Sequence, residues 1–406
     1  MEQTSQLMEQ ILSNKNLNKA LRHVVYKNTS QGADNLCAKE LPAFWNENSE
    51  KIKLLLRQGS YIPVPAKRIY IHKGNGKDRS LAIPSVVDRM IQTAFLYKLQ
   101  TIYEPFFHKN SFGFRKNHSS LNAIRKCLKY INQGYTTVTN IDIEGFFDNV
   151  NHKKLLSIIK KQIKEPDVFR IIKKYICSDI VDGLICRKSH RGIIQGSALS
   201  PLLANIFLNE LDWFMDRENI LFIRYADDII VFCKNKSEAA NVLKKICEYL
   251  HNELSLNINR EKTNITAPEG AQYLGYSFKK DTNGQYELSI SEKVQQKLLS
   301  KMDKHIQCYG PDKTEWWNRL GCIHRGWINY YQQVNRQTMQ SFLSDAEKTE
   351  FQKIHSKIFK NEFSHNCWAH ILEADNYISL TQWYLALLGN CETNTKFTCK
   401  KEKFSF

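Results

Sequence analysis

The chain has 406 residues, 42% hydrophobic and 11% aromatic, which excludes a disordered polymer and leaves room for about two or three cores. Lys and Arg number 58 against 41 Asp and Glu, and the net charge of +17 favours a polyanionic partner, most often nucleic acid. No long apolar run, no basic-then-apolar leader and no Cys-x-x-Cys pair among eleven cysteines argue against a membrane span, a secretory signal and a disulfide framework, so the cytoplasm is the expected compartment.

Residues 1–60 read as a helical N-terminal extension. Leu17, Ala20, Leu21, Val24 and Val25 recur at helical spacing, and a turn at Ser30-Gln31-Gly32 precedes a second helix through Leu54-Leu55-Leu56. From Ile62 the texture changes. Residues 67–71 and 79–83 read as strands around Gly74-Asn75-Gly76-Lys77, a basic hairpin set before a helix over 87–103. Residues 119–133 are helical, and the strand over 136–142 ends on Asp142. Helices over 152–164 and 168–177 lead to a short hairpin (183–187 and 190–194), then Gln195-Gly196 and an apolar helix over 202–214.

Tyr225-Ala226-Asp227-Asp228 follows, between the apolar flanks Leu221-Phe222-Ile223-Arg224 and Ile229-Ile230-Val231-Phe232, and reads as the turn of a β-hairpin. A helix over 237–254 and a hairpin turning at Asn283-Gly284 come next, and beyond Ser291 the chain reads as helical. There Lys293, Lys297, Lys301 and Lys304 share one helical face, while Leu298, Met302 and Ile306 suit the other. The β-α-β-β-α-β order predicts an α+β fold, a split βαβ sheet with helices on one face.

Adjacent carboxylates at a strand turn repel, and a divalent cation held by oxygen ligands is the usual counter-charge; an ordinary exposed turn is the simpler explanation for the pair alone. If strands 136–142 and 222–226 are neighbours, Asp142 converges on Asp227 and Asp228. Three carboxylates suffice for two magnesium ions roughly 3.5–4 Å apart. Neither His nor Cys is required. Two Cys/His groupings, His305 with Cys308, Cys322 and His324, and His365 with Cys367 and His370, lack the paired-knuckle spacing of structural zinc.

Residues from about 17 to 335 resemble the reverse transcriptases of bacterial group II introns and their relatives. The blocks that carry the resemblance stand in the family's order. They are Arg68-Ile69-Tyr70-Ile71 with Arg79-Ser80-Leu81, Ser111-Phe112-Gly113-Phe114-Arg115, and Asn140-Ile141-Asp142 with Gly145-Phe146-Phe147-Asp148. Gln195-Gly196 with Ser200-Pro201-Leu202-Leu203-Ala204-Asn205, Tyr225-Ala226-Asp227-Asp228, Leu256-Asn257 with Glu261-Lys262-Thr263, and Tyr273-Leu274-Gly275 complete the series.

The resemblance implies a right-hand polymerase: fingers over 61–135 with parts of the palm to 200, a palm over 136–288, and a helical thumb over 289–340. A helical extension with a polar tail would fill 341–406. It implies RNA-directed DNA synthesis from dNTPs on an RNA template, giving a cDNA product, with two Mg²⁺ ions for which Mn²⁺ can substitute. Asp142 and Asp227 match the principal metal ligands, with Asp228 completing the site and the Ile143 carbonyl assisting. Phe147 matches the aromatic residue under the incoming sugar, where a ring leaves no room for a 2′-hydroxyl. Lys67, Lys73 and Arg79 match triphosphate-gripping finger positions, Gln195 a residue packed against nucleotide and template, and Lys262 a lysine that protonates the leaving pyrophosphate. Tyr225 and Ala226 would face the primer end, Tyr273-Leu274-Gly275 would hold it, and Lys293 and Lys297 would follow the duplex backbone.

Ile194 and Ser80 stand where the family usually has Pro, a departure that touches no catalytic group. Arg325-Gly326-Trp327-Ile328-Asn329-Tyr330-Tyr331 resembles the maturase thumb. After about residue 340 neither a basic DNA-binding segment nor an HNH endonuclease is legible. The expected setting is therefore a stand-alone bacterial enzyme that copies a partner non-coding RNA in anti-phage defence, the alternative being an intron-encoded maturase that assists splicing.

Overall fold

A computed structural model describes residues 6–28, 30–73, 77–183, 185–187, 190–308, 313–334, 338–343 and 346, the side chains of 72–79, 187 and 313–318 excepted. The chain divides into two compact units: Met1–Tyr130 with Gly134–Thr266, and Ile131–Gln133 with Ala267–Phe406.

The first unit opens with helices α1 (Gln6–Leu12), α2 (Asn14–Lys27) and α3 (Leu41–Arg57). The stripe expected on α2 buries Leu17, Ala20 and Val24, and Asn16 Nδ2 ties the helix to α1 and to the later helix over Val86–Tyr103 through the Ile11 and Ala94 carbonyls. Strands β1 (Ala66–Lys73) and β2 (Lys77–Ile83) form the basic hairpin, and α4 (Val86–Tyr103) follows. Ser85 caps α4 by accepting from Asp88 N, and the buried Asp88 carboxylate accepts in turn from Tyr61, Tyr175, Ser85 and Val64 N. Then come α5 (Ser120–Asn132), β3 (Thr137–Asp142), α6 (Phe146–Asn149), α7 (His152–Gln162), α8 (Pro166–Ile176), β4 (Ile180–Asp182) and β5 (Ile185–Arg187). Helix α9 (Ser200–Arg217), β6 (Leu221–Tyr225), β7 (Asp228–Cys233), α10 (Lys236–Leu254) and β8 (Asn264–Thr266) finish the unit.

Strands β6, β7, β3 and β8 lie in that order as an antiparallel sheet. Helix α10 packs on β3 and β7, and α9 on β6. This is the split βαβ arrangement read from the sequence, with one correction: β3 pairs with the returning strand β7, whereas β6 lies one strand further out. Val138, Ile141, Phe222, Ile223, Ile229 and Ile230 are buried: β3 and β7 are interior strands, helices α9 and α10 pack on the sheet, and Ser111 bridges to Arg224 outside β6.

A second correction concerns the hairpin expected over 183–187 and 190–194. Gly183, at φ +62°, makes the turn itself, so the strands are β4 and β5. Strand β4 pairs in parallel with β1, giving a four-stranded sheet in the order β2-β1-β4-β5. Residues 192–196 stay outside any strand, since Gly192 (φ +87°) and Gly196 (φ +118°) adopt left-handed backbone that interrupts pairing. Gly196 lies against β2: Ala82 N donates to Gln195 O at 2.8 Å, and a Cβ on Gly196 would stand 2.5 Å from Ala82 O.

In the second unit β9 (Gln272–Tyr273), β10 (Tyr276–Lys280) and β11 (Tyr286–Ile290) form a small sheet, followed by α11 (Glu292–Gln307) and α12 (Lys313–Tyr330). Residues 267–288, expected with the palm, group by compactness with these helices. Leu298, Met302 and Ile306 are buried on α11 and Lys293, Lys297, Lys301 and Lys304 exposed, as the periodicity predicts. Residues 347–406, most of the expected extension, lie outside the described residues. The described cysteines are free thiols, and among the described residues no helix is long and apolar enough to cross a membrane.

Gly196→Ala should destabilise the fold by about 1–3 kcal/mol, through a left-handed φ and a Cβ pressed on a carbonyl oxygen. A lowered urea midpoint with an unchanged slope measures this.

Candidate active site

The acidic hairpin is held from below by a buried guanidinium. Arg224 and Asp212 both have no solvent exposure, and Arg224 Nε and a terminal nitrogen reach the two Asp212 oxygens at 2.7 and 2.6 Å. Its other terminal nitrogen donates to Asn205 Oδ1 at 2.9 Å and to the Ala226 carbonyl at 2.8 Å. Asn205 Nδ2 passes the connection on to the Gly113 carbonyl at 2.7 Å. The Arg224 backbone is pinned as well, donating to Asn110 O and accepting from Phe112 N. Ala226 sits at φ +58°, a left-handed turn in a buried non-glycine residue. A Cβ on Gly113 would come within 2.3 Å of Ala226 N, so only glycine lets the two segments approach this closely.

This support sets the acids. Asp142 stands directly across from Asp228 in the β3–β7 register, and directly opposed residues project to the same face of a sheet. Asp227 immediately precedes Asp228, in the turn between β6 and β7. The Asp228 carboxyl is pushed up from 3.8 to about 6, by burial first, then by the charges of Asp227 and Asp142, with Lys262 opposing. Asp228 retains solvent access, so water screens part of the burial effect and the like-charge repulsion is the firmer cause. Lys262 Nζ lies 3.3 Å from Asp142 Oδ2. Asn259 shapes that loop: its N donates to Asp142 O at 2.7 Å, and its Oδ1 accepts from Glu261 N and Lys262 N.

Among the described residues no three His, Cys, Asp or Glu side chains are drawn into a ligand cluster. The donor set still fits magnesium: mutually repelling carboxylates at one end of a sheet supply hard oxygen ligands and gain from a divalent cation. Ile143, the expected carbonyl ligand, is buried and bridges to Ile258. His365, Cys367 and His370 lie outside the described residues.

Phe147 is half-buried on α6, its ring edge-on to Phe146 with centroids 5.3 Å apart. Its carbonyl accepts from Ile193 N at 2.7 Å, which ties it to the segment carrying Gln195. Lys67 is exposed on β1. Lys73 and Arg79 lie on the same hairpin, with side chains outside the described set. Tyr225 ends β6, half-buried, and burial raises its hydroxyl.

In the second unit Leu274 (φ +49°) and Gly275 (φ +80°) form the turn between β9 and β10. Tyr330 donates its hydroxyl to Leu274 O at 2.9 Å, and the Tyr276 hydroxyl donates to Tyr330 O. The end of α12 thus holds the Tyr273-Leu274-Gly275 turn. Lys293 and Lys297 are exposed at the start of α11.

A family model described as reverse transcriptase (RNA-dependent DNA polymerase) matches residues 71–278. The group II intron-encoded protein LtrA of Lactococcus lactis subsp. cremoris is 29% identical over 68% of this chain and 57% of its own length. Protein YkfC of Escherichia coli (strain K12) is 32% identical over 54% of this chain and 68% of its own. The chain thus spans a little over half the length of LtrA.

Arg224→Leu should cost about 3–5 kcal/mol, because Asp212 is left buried and uncompensated, and Arg224→Leu with Asp212→Leu should recover part of the loss. Chemical denaturation of the three variants measures this. The raised Asp228 value means the folded protein binds that proton more tightly than the unfolded chain does. The group's contribution is therefore present below about pH 4 and lost as pH climbs through about 6. In chelator-treated protein Asp228→Asn should be the more stable form above that window by about 1 kcal/mol, after allowance for screening. The difference should shrink toward pH 4, and millimolar Mg²⁺ should narrow it at pH 7.5; thermal shift across pH reads both.

Proposed function

From its membership of the reverse transcriptase family, to which the chain belongs, we propose that this protein is an RNA-directed DNA polymerase that extends a primer 3′ hydroxyl with dNTPs on an RNA template. The observation that carries the reading is the facing of Asp142 and Asp228 across β3 and β7, beside Asp227, at the head of the hairpin that Arg224 fixes. Asp142, Asp227 and Asp228, with the Ile143 carbonyl, would hold two Mg²⁺ ions, or Mn²⁺ in their place. Bound there, such ions lower the pKa of an attacking hydroxyl and offset charge on a leaving pyrophosphate.

The chain's own residues do the rest. Lys67, Lys73 and Arg79 on the finger hairpin bind the triphosphate as fixed cations. Phe147 lies under the sugar and excludes a 2′-hydroxyl, while Gln195 packs against the base pair being formed. Lys262 holds a proton at Nζ within reach of Asp142 and delivers it to the departing pyrophosphate. Tyr225 and Ala226 face the primer end. Tyr273-Leu274-Gly275 grips it, and Lys293 and Lys297 follow the duplex backbone, reading charge and shape in place of sequence.

Two biological settings fit this chemistry. One is a stand-alone bacterial enzyme, working in the cytoplasm, that copies a partner non-coding RNA in anti-phage defence. The likeness to LtrA, an intron-encoded protein, favours the other, a maturase whose RNA binding assists splicing or mobility.

Asp227→Ala combined with Asp228→Ala should reduce dNTP incorporation on an RNA template by more than about a hundredfold. Circular dichroism and RNA affinity should hold. Undiminished synthesis would sink the site assignment. Splicing of a cognate intron that survives the double substitution would mark the maturase setting.

A further inference from the structure

His152 is the first residue of α7 and is buried, although a histidine at a helix N-terminus gains nothing from the helix dipole. Its Nε2 lies 2.6 Å from the Gly192 carbonyl. A carbonyl oxygen can only accept, so Nε2 carries the hydrogen. Nδ1 is then the acceptor, and Cys177 Sγ, at the end of α8, stands 3.6 Å from it. Burial pushes the Cys177 thiol up, which keeps it a protonated donor. Burial lowers the His152 pKa, against the pull of the Gly192 hydrogen bond and with the help of His190, so the ring stays neutral.

What His152 holds is the stretch that walls the nucleotide pocket. Gly192 N donates to Val150 O and Ile193 N to Phe147 O, both at 2.7 Å. Gly192 is left-handed, and a Cβ there would stand 2.8 Å from both the Phe147 and Asp148 carbonyls. Two residues on, the Ile194 carbonyl accepts from Ser200 Oγ at 2.6 Å, and Gln195 O accepts from Ala82 N. One strip of backbone therefore joins Phe147 on α6 to Gln195 and on to the finger strand β2. The His152 imidazole is a side-chain anchor on the Gly192 carbonyl at its first residue.

We propose that His152 is a positioning residue for sugar selection: by fixing the Gly192 carbonyl it sets the height of Phe147 and the reach of Gln195 in the nucleotide pocket. The proposal rests on the reading of Phe147 as the residue under the sugar.

The test compares kcat/KM for dATP with that for ATP on one primed RNA template, for the parent protein, His152→Phe, His152→Gln and Phe147→Ala. The ratio is taken on a single preparation, so a partly unfolded sample does not alter it; if His152→Phe fails to accumulate, His152→Leu takes its place. The preference for dATP over ATP should fall about tenfold in His152→Phe, which loses the donor, and return most of the way in His152→Gln, which keeps one. Template–primer affinity should stay unchanged. A lowered ratio in Phe147→Ala with a parental ratio in His152→Phe overturns the role of His152 and leaves the reading of Phe147 intact. Parental ratios in both overturn the two together.

Discussion

A guanidinium with no exposure to water is the constraint on which the site is built. Removing Arg224 and Asp212 from solvent costs several kcal/mol for each ion, offset only because the pair is bidentate and the remaining donors are used. An apolar pair of similar volume could match that stability. It could not hold the carbonyl of a left-handed Ala226, nor reach through Asn205 to the Gly113 strip. The ion pair therefore contributes geometry more than stability. It converts a flexible two-carboxylate turn into one whose position is dictated by α9.

Much of the fold is legible because its helices have one apolar face and its strands are short, β-branched and bounded by turns. The α2 and α11 stripes and the β3 and β7 runs all read directly from residue spacing. Connectivity in space is less legible. Nothing local distinguishes β6 from β7 as the partner of β3, since both are apolar strands flanking the same turn. The hairpin expected over 183–194 does not form; a glycine can end a strand or make a turn, and neither residue type nor a left-handed φ, which Gly183 and Gly192 share, tells the two roles apart. Gly183 turns while Gly192 interrupts.

At the site, Asp142, Asp227 and Asp228 were legible because acids at strand ends in a cationic chain demand an explanation. Arg224 was not, since it hides in Leu221-Phe222-Ile223 as though it were one more flank residue. A signal was present nonetheless: a lone arginine in an apolar strand, and an acid, Asp212, beside Leu211 on the mainly apolar α9, each in need of the other. His152 gave no comparable sign. Its relation to Gly192 spans 40 residues and depends on a backbone conformation that sequence spacing does not reveal.

The β2-β1-β4-β5 sheet is assembled from two distant pieces of chain. Strands β1 and β2 pair locally, but the neighbour of β1 on its other side is β4, more than a hundred residues later. During synthesis the hairpin leaves the ribosome with one edge open and with Tyr70 and Ile71, still exposed in the finished protein, beside it. That edge stays unpaired through the emergence of α4, α5, β3 and three further helices, at about 5–20 residues per second. Closure is thus a late, long-range event, the slow kind in which loop-closure entropy is spent before any contact compensates. That sheet is consequently open to strand addition by a stray partner while it is being made.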